Sequence, residues 1–189
     1  VTECQCYPVN AKYYLGLDSF EVKAVHGGVL TTGGYLEITE IQEDADIITF
    51  WYGTNDYAGS KPLGTINDSA VSPTTFYGAL DILINGLKTK YPTSRIVFIT
   101  PFKTADWQGK NMYGLTMLDF RNAIVAMCNK YELEVVDLFS VRALSWLVGL
   151  TSTPSLFYQY DYYHPTPDGH RAIANHIVEQ IFGGTGSGG

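Results

Sequence analysis

"DIITFWYGTND" spans residues 46–56. Residues 46–53 are a nearly continuous apolar run, rich in β-branched and aromatic side chains. That composition suits a parallel strand covered on both faces. The run ends in Gly53-Thr54-Asn55-Asp56, which puts a side-chain amide and a carboxylate at the strand's carboxyl end.

Two similar runs follow, "RIVFITP" at 95–101 and "LEVVDLF" at 133–139. Helical stretches separate them. Residues 74–92 place Phe76, Leu80, Leu83 and Leu87 on one helical face, and 115–132 form a second amphipathic pattern. Upstream, a short helix is expected over Val9–Leu17. "FEVKAV" (20–25) alternates like a strand and stops at His26-Gly27-Gly28, and residues 31–45 read as a loop with a short helix. Downstream, 141–150 suits a short helix and 157–165 a tyrosine-rich loop. A helix over 166–182 has Pro167 and Asp168 near its start.

Strands alternating with helices predict a three-layer α/β/α sandwich with a mainly parallel, flavodoxin-like sheet. One domain is expected over 1–182, with the Gly/Ser-rich 183–189 as a linker or tail.

Composition narrows the function classes. The chain has 189 residues, a net charge of −7 and a hydrophobic share of 46%. With no basic run, a nucleic-acid surface is not expected. No segment reaches the roughly 18 apolar residues of a membrane span, and no signal peptide is visible. The 14 tyrosines suit either packing or contact with ring-shaped polar ligands. Cys4-x-Cys6 is a poor zinc spacing, and the redox state of this pair is left open. Cys128 reads as a core thiol.

In parallel sheets, ligands bind at the carboxyl ends of the strands. Three loops should gather there, ending in His26-Gly27-Gly28, in Gly53–Asp56 and in Asp161-Tyr162-Tyr163-His164. Neutral His164 could take a proton from a nucleophile and return it, while Asp161 fixes its tautomer. The plain alternative is a surface pair near a helix start. The Asn55 amide could face a developing oxyanion, or simply belong to a turn. A Gly27 N–H could be a second oxyanion donor, with Gly28 as the other choice. Asp161, His164, Asp168 and His170 crowd together, but Asp168 and His170 read as helix-start residues. His170 and His176 are not four apart. No metal and no cofactor are expected.

Together these blocks resemble the SGNH hydrolases, the GDSL-type esterases and lipases. "GTND" resembles the family's third block, "DYYHP" (161–165) its fifth and, more loosely, "AVHGG" (24–28) its second. The resemblance implies Asp161 and His164 as triad acid and base, and Asn55 and Gly27 as the oxyanion hole.

The family's first block, Gly-Asp-Ser, is missing from the 189 residues. Asp18-Ser19 follows a helical pattern and lies too close to Gly27 to replace it. The nucleophile is expected at or just upstream of Val1, on a strand carried by a preceding segment, another chain or a permuted connection through 183–189.

The expected function is ester hydrolysis through an acyl-enzyme, with a small ester, a lipid or an acetylated carbohydrate as substrate. Trp51, Trp107 and the tyrosine-rich loop favour the carbohydrate. The alternative is a non-catalytic binding module on the same fold. The compartment is left open, with a secreted or cell-surface location favoured.

Overall fold

The computed structural model describes residues 6–39, 41, 45–68, 72–104, 106–141 and 163–183. The chain divides into two compact units.

The larger unit comprises the described parts of Lys23–Pro101 and Trp107–Phe139. Its sheet has three parallel strands, β1 (Ile47–Trp51), β2 (Arg95–Ile99) and β3 (Glu134–Val136), in the order β1-β2-β3. Ile48 faces Ile96, Phe50 faces Phe98, and Phe98 faces Val135 across the ladders. Helix α2 (Thr54–Ala58) follows β1 directly, while α3 (Phe76–Lys90) and α4 (Met117–Tyr131) lie between strands. This is the expected parallel α/β class.

One core holds Ile48, Phe50, Ile96 and Phe98 against α3 and α4. Helix α3 contributes Phe76, Leu80, Leu83, Ile84 and Leu87, and α4 contributes Met117, Phe120, Ile124 and Met127. Their spacing of three and four residues forms one apolar stripe per helix. Burying a side chain of this size contributes roughly 1.5–3 kcal/mol. Cys128 is fully buried in the same core, and burial pushes its thiol up to about 12.

Caps set the helix ends. Thr75 accepts from the Gly78 N–H at the start of α3. At the start of α4 the Asp119 carboxylate accepts from both the Thr116 N–H and its hydroxyl. Asp81 of α3 accepts from Lys130 Nζ at 3.1 Å and from the Tyr131 hydroxyl, tying α3 to α4.

The second unit comprises the described parts of Val1–Val22, Phe102–Asp106 and Ser140–Gly189. Helix α1 (Tyr7–Leu15) packs on α5 (Pro167–Phe182). Helix α5 begins where Pro167 predicts, and its cap is Thr166, whose Oγ1 accepts from the Gly169 N–H. Its buried stripe is Ile173, Ala174, Ile177, Val178 and Ile181.

Several expectations need correction. Residues 20–25 form no strand, and 20–27 are exposed. Alternation makes a strand only where a neighbour supplies hydrogen bonds, and no described strand pairs with this segment. The strand over 133–139 is shorter, and a 3-10 turn (Leu138–Ser140) follows it. There the Asp137 carboxylate binds Arg121 and the Thr100 hydroxyl, and the Phe139 N–H donates to Thr100 Oγ1. Side chains replace the ladder at that point. The helix within 31–45 is instead two 3-10 turns, Leu30–Thr32 and Gly34–Thr39.

Both β1 and β2 read as buried on two faces, but only β2 is. Val97, Phe98 and Ile99 are buried, whereas Thr49 at the centre of β1 is exposed. Strand β1 is also an edge of the described sheet. The helix expected over 141–150 falls almost wholly outside the described residues.

Candidate active site

The carboxyl end of β1 gathers the first group of candidate residues. Gly53 is buried and turns the chain from strand into α2 with φ +112°. A β-carbon there would also lie 3.1 Å from Pro101 Cγ. This is a conformation and a space that only glycine suits.

The turn places Asn55 on the surface and Asp56 in the interior. Asn55 Nδ2 donates to the Gly28 carbonyl at 3.0 Å. This bond fixes which way the amide points and leaves its second N–H available for another acceptor.

The loop that receives this bond is a four-residue turn. The Gly28 N–H donates to the Val25 carbonyl at 3.0 Å, with Gly27 at φ +68°. A residue in that position of such a turn must tolerate positive φ, which glycine does. The Gly28 N–H is therefore committed. Among the described residues nothing accepts from the Gly27 N–H. Of the two glycines, Gly27 is the one with a donor to offer. Val25 to Val29 and Thr32 to Gly34 enclose an open hollow beside it.

Asp56 is the residue that the sequence reading missed as a functional element. It is fully buried. Its Oδ2 accepts from the Leu30 N–H at 3.0 Å, and its Oδ1 from the Thr31 N–H and hydroxyl, both at 3.1 Å. Burial raises its carboxyl above the usual value. The three hydrogen bonds and the Lys61 charge oppose that rise. Its position directly after Asn55 in the first turn of α2 was the available signal.

The remaining candidates lie around the start of α5. His164 is exposed, just ahead of the Thr166 cap. His170 lies one turn into the helix, and its Nδ1 is buried with no hydrogen-bond partner. Burial, then the charge of nearby His164, pushes His170 below its ordinary value. Asp168 pairs with Arg171, as suits a residue in a first helical turn. Asp161, the expected triad acid, lies outside the described residues. Asn55 and Gly27 belong to the larger unit and His164 to the smaller.

Trp107 packs edge-on against Phe139, with ring centroids 5.5 Å apart, and joins the margin of the core. That contact gives it a structural role. Among the described residues no three His, Cys, Asp or Glu side chains come together as a metal site. No helix among them is long and apolar enough to cross a membrane.

A chain with this parallel fold, and with Gly-Thr-Asn-Asp gripping a glycine turn, falls among the α/β hydrolytic folds. It matches the GDSL-like Lipase/Acylhydrolase family over residues 9–172 and belongs to that family. Family membership supports a hydrolase-type activity in general. No curated protein matches it. Among solved structures, a protein from Lactobacillus plantarum is 30% identical, with a TM-score of 0.65; the match covers 79% of this chain and 73% of that one. A protein from Chitinophaga pinensis, titled a possible lipase, is 22% identical with a TM-score of 0.73, covering 94% and 88%. An acetyl xylan esterase shares the fold at 13% identity and a TM-score of 0.69, covering 94% and 91%.

Proposed function

We propose that this chain works as a serine ester hydrolase through an acyl-enzyme. A serine outside the 189 residues attacks the ester carbonyl. His164 takes the hydroxyl proton and passes it to the leaving alcohol, while Asp161 holds the imidazole in the required tautomer. The Asn55 amide and the Gly27 N–H receive the negative charge on the tetrahedral oxygen. Water, deprotonated by His164, then releases the acid.

The observation that carries this reading is the bond from the Asn55 amide to the Gly28 carbonyl, beside the uncommitted Gly27 N–H. One candidate donor lies in the turn and the other is bound to it. The nucleophile is proposed to sit on a strand preceding Val1. Such a strand, lying parallel along the outer edge of β1, would end beside Gly53–Asn55.

The test is hydrolysis of p-nitrophenyl acetate by the full-length protein and by its His164→Ala and Asn55→Ala variants. Loss of one oxyanion donor should lower kcat about 10²- to 10³-fold. The His164→Ala loss should be at least as large. Equal rates for wild type and His164→Ala would sink the proposal.

The proposed substrate is a small ester, a lipid or an acetylated carbohydrate. Exposed Tyr163 and the shared fold with an acetyl xylan esterase favour the last. Acetate release from acetylated xylan, compared with release from short alkyl esters, distinguishes them. A second reading is a non-catalytic binding module, favoured by the missing Gly-Asp-Ser. It predicts calorimetric binding of an ester with no turnover.

A further inference from the structure

We propose that Asp56 is a positioning residue of the oxyanion hole, holding the loop around Gly27 so that its N–H and the Asn55 amide point to one place. This rests on the hydrolase reading above.

Asn55 and Asp56 are adjacent, yet they grip the same loop at successive points. Asn55 binds the Gly28 carbonyl, and Asp56 binds Leu30 and Thr31. Both ends of the segment that follows Gly27 are thereby tied to the first turn of α2. The chemistry of the tie is specific. An ionised carboxylate offers two accepting oxygens and no donor, and here three donors use both. An asparagine would put an NH₂ against one of the N–H groups.

The carboxylate is fully buried, and no salt-bridge partner closes on it among the described residues. Burying a carboxylate is costly unless hydrogen bonds compensate. An apolar side chain in contact with a differently folded loop could fill this space at less cost. What the carboxylate adds is fixed geometry. The donors of an oxyanion hole must already be in place when charge develops, since reorienting them then costs rate.

The experiment uses the full-length protein and compares wild type, Asp56→Asn, Thr31→Val and His164→Ala. It measures p-nitrophenyl acetate kinetics, inhibition by phenylboronic acid as a tetrahedral mimic, and thermal melting. Asp56→Asn should lower kcat about 10- to 100-fold, less than outright loss of a donor. KM should stay within about threefold, because the lost interaction exists only in the transition state. The boronate inhibition constant should rise in step with the loss of kcat. Thr31→Val, which removes one hydrogen bond, should show the same pattern at about 2- to 10-fold. If Asp56→Asn fails to fold, Thr31→Val decides on the same readouts. A folded Asp56→Asn with unchanged kcat overturns the role. So does a fall in kcat without weaker boronate binding. If wild type and His164→Ala are equally inactive, the hydrolase reading itself fails, an outcome distinct from an active enzyme indifferent to Asp56.

Discussion

At the end of β1 the polar groups are held from within one unit. Asn55 and Asp56 close on residues 28 to 31, and the turn at Gly27 carries its own backbone bond. At the start of α5 the situation is the reverse. His164 is exposed, and the buried Nδ1 of His170 meets no partner. One part of the proposed chemistry is held by hydrogen bonds that tie α2 to the loop before it within one unit. The other is carried by exposed His164 ahead of α5, and in the same unit burial disfavours the charged form of His170. Stability should therefore concentrate in the first region and pH sensitivity in the second.

The most direct way to break this comparison is Asp56→Ala. It leaves the Leu30 and Thr31 N–H groups buried without an acceptor. At about 1–3 kcal/mol for each unpaired donor, the chain should lose about 2–6 kcal/mol in urea melts. A loss below about 0.5 kcal/mol, as at an ordinary surface position, would show that the clamp does not hold the loop.

Gly53→Ala should come next. It combines φ +112° with a β-carbon 3.1 Å from Pro101. Strain of this kind costs about 1–3 kcal/mol, measurable by the same melts.

The α5 region should respond to pH instead. The folded-state pKa of His170 lies below its ordinary value of 6.5, so the unfolded chain takes up the proton first. Its contribution to stability is full above that value and is lost as pH falls through it towards the folded pKa. The melting temperature should drop on acidification from neutral pH, and His170→Asn should flatten that dependence. An unchanged slope in the variant would assign the pH sensitivity to other groups.

Arg171→Ala should do least. It removes an exposed ion pair with Asp168, and such pairs contribute about 0–1 kcal/mol. A larger effect would mean that the start of α5 is more tightly built than its exposure suggests.

What was legible in the sequence follows from which signals side chains carry. The apolar runs became β1 and β2, the stripe of Phe76, Leu80, Leu83 and Leu87 became the core face of α3, and Pro167 and Asp168 marked the start of α5. Asn55 and the Gly27 turn could be singled out because an amide and a paired glycine are visible as letters. The role of Asp56 was hidden, since two of its three donors are backbone N–H groups, which every residue but proline has. The strand at 20–25 misled for a related reason: alternation records a tendency to extend, not the presence of a neighbour. The exposed face at Thr49 was equally invisible, because "IITFW" and "RIVFI" differ little in composition while their surroundings differ greatly.

The position of β1 also bears on how this chain must be handled. Ile47–Trp51 is an edge of the described sheet and carries no charge, proline or bulge. Natural proteins use such features to discourage edge strands from pairing with other molecules. Without them, β1 left uncovered would be a template on which a second copy can add. If its edge is uncovered in solution, the dimer fraction should rise with concentration, and Thr49→Lys should lower it.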